Sequence, residues 1–185
     1  MATNGGTPIF TETDNFFDAE DIFDLRTEFA NLAIVLGKIA KKHGCMLALS
    51  VDPFTPRMCV GSPEAFREFL LALVDHSLAT PGAEIINIRL GCLGRCLNGR
   101  HRLEITVTTN GTVMPPRQMT LFNLQPPPSR GRSIHFANDM HAMLRLNTLI
   151  RRLDGSLQVE EVLGWGPRYV ARFQLPLMSD SPSLA

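Results

Sequence analysis

The stretch that decides the fold is Ser62–Pro81, SPEAFREFLLALVDHSLATP. Ser62 is a favourable N-cap residue, and Pro63 suits the first helical position, where no backbone N–H needs a partner. Apolar residues then recur at alternating steps of three and one, which predicts a single helical stripe that faces the core. The members of this stripe are Phe66, Phe69, Leu70, Leu73, Val74 and Ser77. The stretch therefore predicts one amphipathic helix, which ends before Gly82.

Further helices and strands flank this central helix. Asp24 is expected to cap a helix that reaches Gly44, and Asn138 or Asp139 to cap a third helix that reaches Arg152. The predicted strands cover residues 22–23, 45–51 (a buried strand), 84–90, 102–109, 157–162 and 168–177, with an extended link at 57–61 and a hairpin loop at 91–101. Because the helices and strands alternate and tight loops join neighbouring strands, we expect an α+β fold. It is a two-layer α/β sandwich with about three helices on one face of a mixed sheet.

Length and composition limit the possible domain organisation, cellular location and partners of the chain. The 185 residues predict a tail at 1–21, one domain at 22–177 with a long loop at 110–136, and a second tail at 178–185. No apolar run is long enough to span a membrane and no signal peptide is apparent, so a cytoplasmic protein is expected.

The net charge is zero, but residues 1–24 contain six acidic residues and no Lys or Arg. The rest lacks a dense basic cluster, and nucleic acid is not an expected partner.

The four cysteines are expected to be reduced thiols, with buried apolar packing as the usual role. Cys92 and Cys96 with nearby His101 suggest a metal site as an alternative. Their spacing is not the two-residue spacing of zinc knuckles, and no second pair follows. No metal is therefore predicted.

Several motifs resemble the ATP-binding domain of sensor histidine kinases, the HATPase_c domain of the GHKL superfamily. The end of the central helix, LLALVDHSLATPG, is similar to the N box of that family, and LEITV at 103–107 followed by TNGTVMPP at 109–116 is similar to its next strand and loop. Leu121-Phe122 resembles its F box, and residues 153–177 resemble its closing hairpin. The resemblance covers about 22–177 and implies the Bergerat-type ATPase fold.

The same resemblance implies that the nucleotide site is altered. The family's magnesium-binding Asn falls on His76, and the Asp that binds adenine falls on Thr109. A Thr hydroxyl cannot supply the charge-assisted acceptor of a carboxylate, and imidazole is a poor magnesium ligand. The second loop glycine falls on Val113, and the glycine-rich box before the third helix has no glycine. The vestigial pocket is predicted to consist of Ala72, Asp75, His76, Thr109, Gly111, Val113 and Met140.

These changes favour a non-catalytic regulatory module that binds a two-component protein: a kinase, a response regulator or a phosphotransfer protein. No cofactor is expected under this hypothesis. One alternative is an atypical ATP-binding protein kinase or ATPase of the same superfamily, which would use ATP and Mg²⁺. Another is a phosphotransfer protein built on this fold, since Asp75-His76 is similar to the acid–histidine pairs of phosphotransfer helices.

Overall fold

A computed structural model describes residues 21–96, 99–114, 119, 120, 123 and 137–176, and only the backbone of 137–140. The predicted tails lie outside these residues, apart from Asp21. Most of the predicted 110–136 loop also lies outside them.

The described residues include three helices and seven strands with defined bounds. The helices are α1 (Leu25–Lys42), α2 (Pro63–Leu78) and α3 (Ala137–Arg151). The strands are β1 (Asp21–Asp24), β2 (Met46–Val51), β3 (Met58–Gly61), β4 (Ile85–Arg95), β5 (His101–Thr109), β6 (Ser156–Val162) and β7 (Gly166–Leu175).

Five of the strands form one mixed sheet in the order β2-β4-β5-β7-β6. The β2–β4 pair is parallel and the other three pairs are antiparallel. β1 and β3 form a separate antiparallel ribbon. The inward side chains of the large sheet and the apolar stripes of the three helices form one hydrophobic cluster. The α+β sandwich with a mixed sheet is confirmed.

The central helix forms as the sequence predicts. The Oγ atom of Ser62 accepts a hydrogen bond of 3.0 Å from the backbone N–H of Ala65, and Pro63 takes the first helical position. Every residue of the predicted stripe is fully buried. Ser77 is tolerated there because its hydroxyl donates a 2.7 Å hydrogen bond to the carbonyl of Leu73. This helix packs against α1, α3 and β5 and so lies at the centre of the fold.

Two expectations about strands near the start of the chain are wrong. Residues 57–61 are not a link, because Met58–Gly61 pairs with Asp21–Asp24 as β3. Such a pairing joins residues far apart in sequence, and a four-residue run cannot reveal it. β2 is not fully buried: Met46 is 66% exposed, because the strand lies at one edge of the described sheet.

Two further boundaries differ from prediction. β4 continues to Arg95, with a register shift between Cys92 and Gly94, so the expected 91–101 loop is mostly strand. A bulge of this kind lets a strand continue through glycine-containing sequence. α3 begins at Ala137, so neither Asn138 nor Asp139 is its cap. Both lie in its first turn, where the positive end of the helix dipole favours an acidic residue.

Candidate functional site

The last turns of α2 supply one wall of the candidate site. Ala72 and His76 are half-buried, whereas Asp75 is exposed. The His76 ring lies edge-on against the ring of Tyr169 on β7, with centroids 5.5 Å apart and planes at 83°. Edge-to-face contact is a favourable arrangement for two rings. His76 therefore packs against a fully buried tyrosine at the position that the resemblance assigns to magnesium binding.

Thr109 ends β5 at the position that the resemblance assigns to adenine recognition. The residue is fully buried, and its Oγ1 atom accepts a 3.4 Å hydrogen bond from the backbone N–H of Gly111. The hydroxyl oxygen thus accepts one hydrogen bond from its own turn. Tyr169 on β7 lies opposite Val107 of β5, two residues before Thr109. Sequence reasoning did not select Tyr169 as a site residue, although it alternates with Ala171, Phe173 and Leu175 along β7, a pattern that predicts an inward-facing side chain.

Gly111 has a packing role that does not require a phosphate. A Cβ atom on Gly111 would lie 2.7 Å from Cγ2 of Thr80 and 3.0 Å from the carbonyl oxygen of Pro81. On the other side, a Cβ atom on Gly166 would lie 2.5 Å from the carbonyl oxygen of Gly111. Real Cβ contacts are not this short, so the chain after β5 passes between two other segments with no room for side chains. Glycine is needed at both positions for this close backbone approach.

The start of the predicted loop is also held by hydrogen bonds. Oδ1 of Asn110 accepts from the backbone N–H groups of Glu84 (2.9 Å) and Ile85 (2.8 Å). The backbone N–H and the hydroxyl of Thr112 both donate to the carbonyl of Pro81, at 2.8 and 2.9 Å. The loop therefore begins in a fixed position against the turn that follows α2. Sequence analysis missed Asn110, although asparagine after a strand commonly bonds to nearby backbone.

The remaining predicted pocket residues are dispersed. Val113 is exposed, beyond the fixed start of the loop. Met140 lies in the first turn of α3, and its side chain is outside the described residues. The structure thus places His76, Thr109 and Gly111 at one end of the sandwich and directs Asp75 and Val113 to solvent.

The cysteines divide into two classes. Cys45 and Cys59 are buried, and burial raises the pKa of the Cys59 thiol to about 12, with Cys92 nearby as a smaller cause. Sγ of the half-buried Cys92 lies 3.4 Å from Nδ1 of His101. Burial, and then Arg95, lower the pKa of His101. Among the described side chains, no group of three or more His, Cys, Asp or Glu is arranged to hold a metal ion.

Comparison with solved structures identifies the fold. The mycobacterial sensor histidine kinase MprB superposes with a TM-score of 0.60 at 14% identity, over 86% of this chain and 100% of that one. The chain has the fold of a histidine kinase ATP-binding domain. The ATP-binding domain of PrrB from Mycobacterium tuberculosis gives a TM-score of 0.58 at 17% identity, over 88% of this chain and 100% of that one. Full-length ShkA in complex with AMPPNP gives 0.64 at 15% identity, over 86% of this chain and 32% of that one.

The resemblance that the motifs suggested is therefore confirmed at the level of the fold. No protein-family profile matches the chain, and neither does any curated protein. At these identities the similarity concerns the fold alone. Within the described residues, no helix is long and apolar enough to cross a membrane.

Proposed function

We propose that this chain is a non-catalytic module with a histidine kinase ATP-binding fold, and that it binds a protein of a two-component system. The observation that carries the proposal is the state of Thr109. Its hydroxyl is fully buried and bonded to Gly111, at the position where the family uses a carboxylate to bind adenine. A neutral, fully buried hydroxyl that already accepts one bond from its own turn is a poor replacement for a charged acceptor.

His76 supports the same conclusion. Magnesium prefers oxygen ligands in near-octahedral geometry, and an imidazole packed edge-on against Tyr169 offers neither. The same packing weighs against His76 as a phosphoacceptor, because its half-buried ring lies against Tyr169 and is not freely exposed to a partner. The retained Gly111 does not argue for nucleotide binding, since crowding by Thr80 and Pro81 accounts for it.

Exposed apolar side chains at the same end provide a surface for a protein partner. Leu163 is 96% exposed, and Trp165 and Val113 are also exposed. The turn that carries Leu163 and Trp165 reaches the start of the loop through the contact between Gly166 and Gly111. Exposed apolar residues grouped beside a site are typical of protein interaction surfaces. The partner would be a kinase, a response regulator or a phosphotransfer protein.

Nucleotide binding tests the non-catalytic part of the proposal. Titration calorimetry of the full chain with ATP and with ADP, with and without Mg²⁺ and into the millimolar range, should show no saturable heat. A histidine kinase domain that binds AMPPNP serves as the positive control for the ligand solutions. Saturable binding that His76→Ala weakens would contradict the proposal and favour an atypical ATPase or kinase.

Partner binding tests the other part. Purified kinases, response regulators and phosphotransfer proteins from the same cell would be titrated against the wild type and against Leu163→Asp. The matched control is Phe54→Asp, because Phe54 is also an exposed apolar residue (84%) but follows β2 at the opposite end of the sheet. We expect Leu163→Asp to weaken binding and Phe54→Asp to leave it unchanged. Equal effects of the two variants on binding would show that the partner does not bind at the surface around Leu163.

A further inference from the structure

A basic groove lies at the end of the sandwich opposite Thr109. β7 carries Arg168 beside Thr108 at one end and Gln174 beside Arg102 at the other. The groove opens at the second end and has a volume of about 420 Å³. Its lining residues are Arg100, Arg151, Asp154, Gly155 and Gln174.

The charges around this groove are unbalanced. NH1 of Arg100 donates a 2.7 Å hydrogen bond to Oδ2 of Asp154, which offsets one charge. Arg151 is exposed and makes no ion pair with a carboxylate of the described residues. Arg102, exposed beside Gln174 in the ladder, makes none either. Among the described residues, two guanidinium groups and one carboxylate therefore line the groove, and Arg102 lies on the strand beside Gln174. This arrangement suits a further carboxylate, since arginine binds carboxylates through several N–H groups.

The described chain begins beside this groove. Asp21 lies opposite Gly61 in the β1–β3 ribbon. A Cβ atom on Gly61 would lie 3.0 Å from the side chain of Leu175, which follows Gln174 directly. The ribbon is also joined to this end of β7 by a 2.9 Å hydrogen bond from the N–H of Val60 to the carbonyl of Pro176. Asp21, the first described residue, therefore lies at the end of the fold that carries the groove.

We propose that the acidic segment Asp14–Glu20, DNFFDAE, binds in this groove of its own chain, with carboxylates against Arg151 and Arg100, the two arginines that line it. The segment has three acidic residues, and no Lys or Arg occurs before residue 25. An extended residue spans about 3.5 Å, so Asp18 lies within about 10 Å of Asp21. A tether this short gives the segment a high effective concentration at the groove, which favours it over a free acidic peptide.

Protease protection in the full chain tests this docking. A glutamate-specific endoprotease would be added to the native protein, and the rate of cleavage after Glu20 measured by mass spectrometry. We expect Arg151→Glu to accelerate cleavage about threefold, the factor that one exposed ion pair typically contributes. The matched control is Arg168→Glu, which makes the same charge change on a half-buried arginine at the other end of β7, 4.0 Å from a carboxylate oxygen of Glu160. The control should cleave at the wild-type rate.

A charge swap and a change of salt complete the test. Asp18→Arg combined with Arg151→Glu should restore protection, because the two charges are exchanged and not removed. At about 0.5 M NaCl, where charges are screened over a few ångström, the wild type should approach the rate of Arg151→Glu. Equal cleavage of the wild type and Arg151→Glu at low salt would overturn the proposal. Protection that increases with protein concentration would also overturn it, because it would show docking on a second copy.

Discussion

The crowded backbone around Gly166 leads to the most specific prediction about the candidate site. In Gly166→Ala, the added Cβ atom would lie 2.5 Å from the carbonyl oxygen of Gly111 and 2.9 Å from that of Thr109. Both neighbours are backbone atoms, which cannot move aside by rotating a side chain. The φ angle of Gly166 is also +144°, a value that residues with a Cβ atom rarely adopt. The substitution should therefore displace the end of β5 or open the β6–β7 turn.

The magnitude follows from a matched comparison. Gly164 lies in the same turn with a φ of +78°, and a Cβ atom there would meet nothing within 4 Å. Gly164→Ala should thus cost only the backbone term, about 1–2 kcal/mol of unfolding free energy. Gly166→Ala adds a steric term to a similar backbone term and should cost about 3–5 kcal/mol. The difference between the two variants, about 2–3 kcal/mol, estimates the crowding itself.

Urea unfolding followed by far-ultraviolet circular dichroism would measure both variants. Trp165 fluorescence is unsuitable, because this residue lies between the two substitutions and reports the local turn. With a typical slope of about 1–3 kcal/mol per molar urea, the expected difference shifts the midpoint by about 1 M. Midpoints that coincide for the two variants would show that the backbone approach at Gly111 does not constrain the fold. The explanation that close backbone contact requires a glycine at position 111 would then also be wrong.

Three further predictions concern other parts of the fold. Asp24 caps α1 and pairs with Arg57, so Asp24→Ala should lose about 1–2 kcal/mol at pH 7, and Asp24→Ser, which keeps a cap, less. The hydrogen bonds from Arg57 and from the backbone N–H of Thr27 lower the pKa of Asp24 from 3.8 to about 2. The free energy of unfolding that Asp24 contributes should therefore be present above pH 4 and be lost as the pH falls towards 2, as measured by urea unfolding. Only Cys92 and Cys96 should react rapidly with a thiol reagent in the native protein, whereas denaturant should expose all four thiols; four rapid thiols would contradict the described burial. Asn123→Ala should lower the urea midpoint, because its side chain donates to the carbonyl of Val159 and accepts from its N–H, and an unchanged midpoint would refute this.

Local patterns were sufficient to predict most of the elements. The three-and-one spacing of apolar residues in α2 and the alternation in β5 and β7 each follow from a single buried face. Ser62 and Asp24 were recognisable as caps because a short oxygen-bearing side chain at a helix start has one favourable use. Such features depend on neighbours within a few residues, which the sequence displays directly.

The errors arose where distant segments meet. The pairing of β3 with β1, the exposed face of β2 and the bulge that extends β4 are all set by contacts between residues far apart in the chain. The candidate site shows the same division. His76 and Thr109 could be singled out from motifs, but the ring contact with Tyr169 could not. Nor could the double hydrogen bond to Asn110, because both require the sheet to be assembled.

The sequence by itself determined the helices, most of the strands and the two-layer arrangement, because these follow from residue type and short-range periodicity. Only the tertiary structure shows why residue 111 is a glycine. The family resemblance assigns Gly111 to a phosphate-binding loop, whereas in the fold it is the point where three backbone segments meet too closely for any side chain. Close approach is a property of space between distant segments, and no pattern along the chain encodes it.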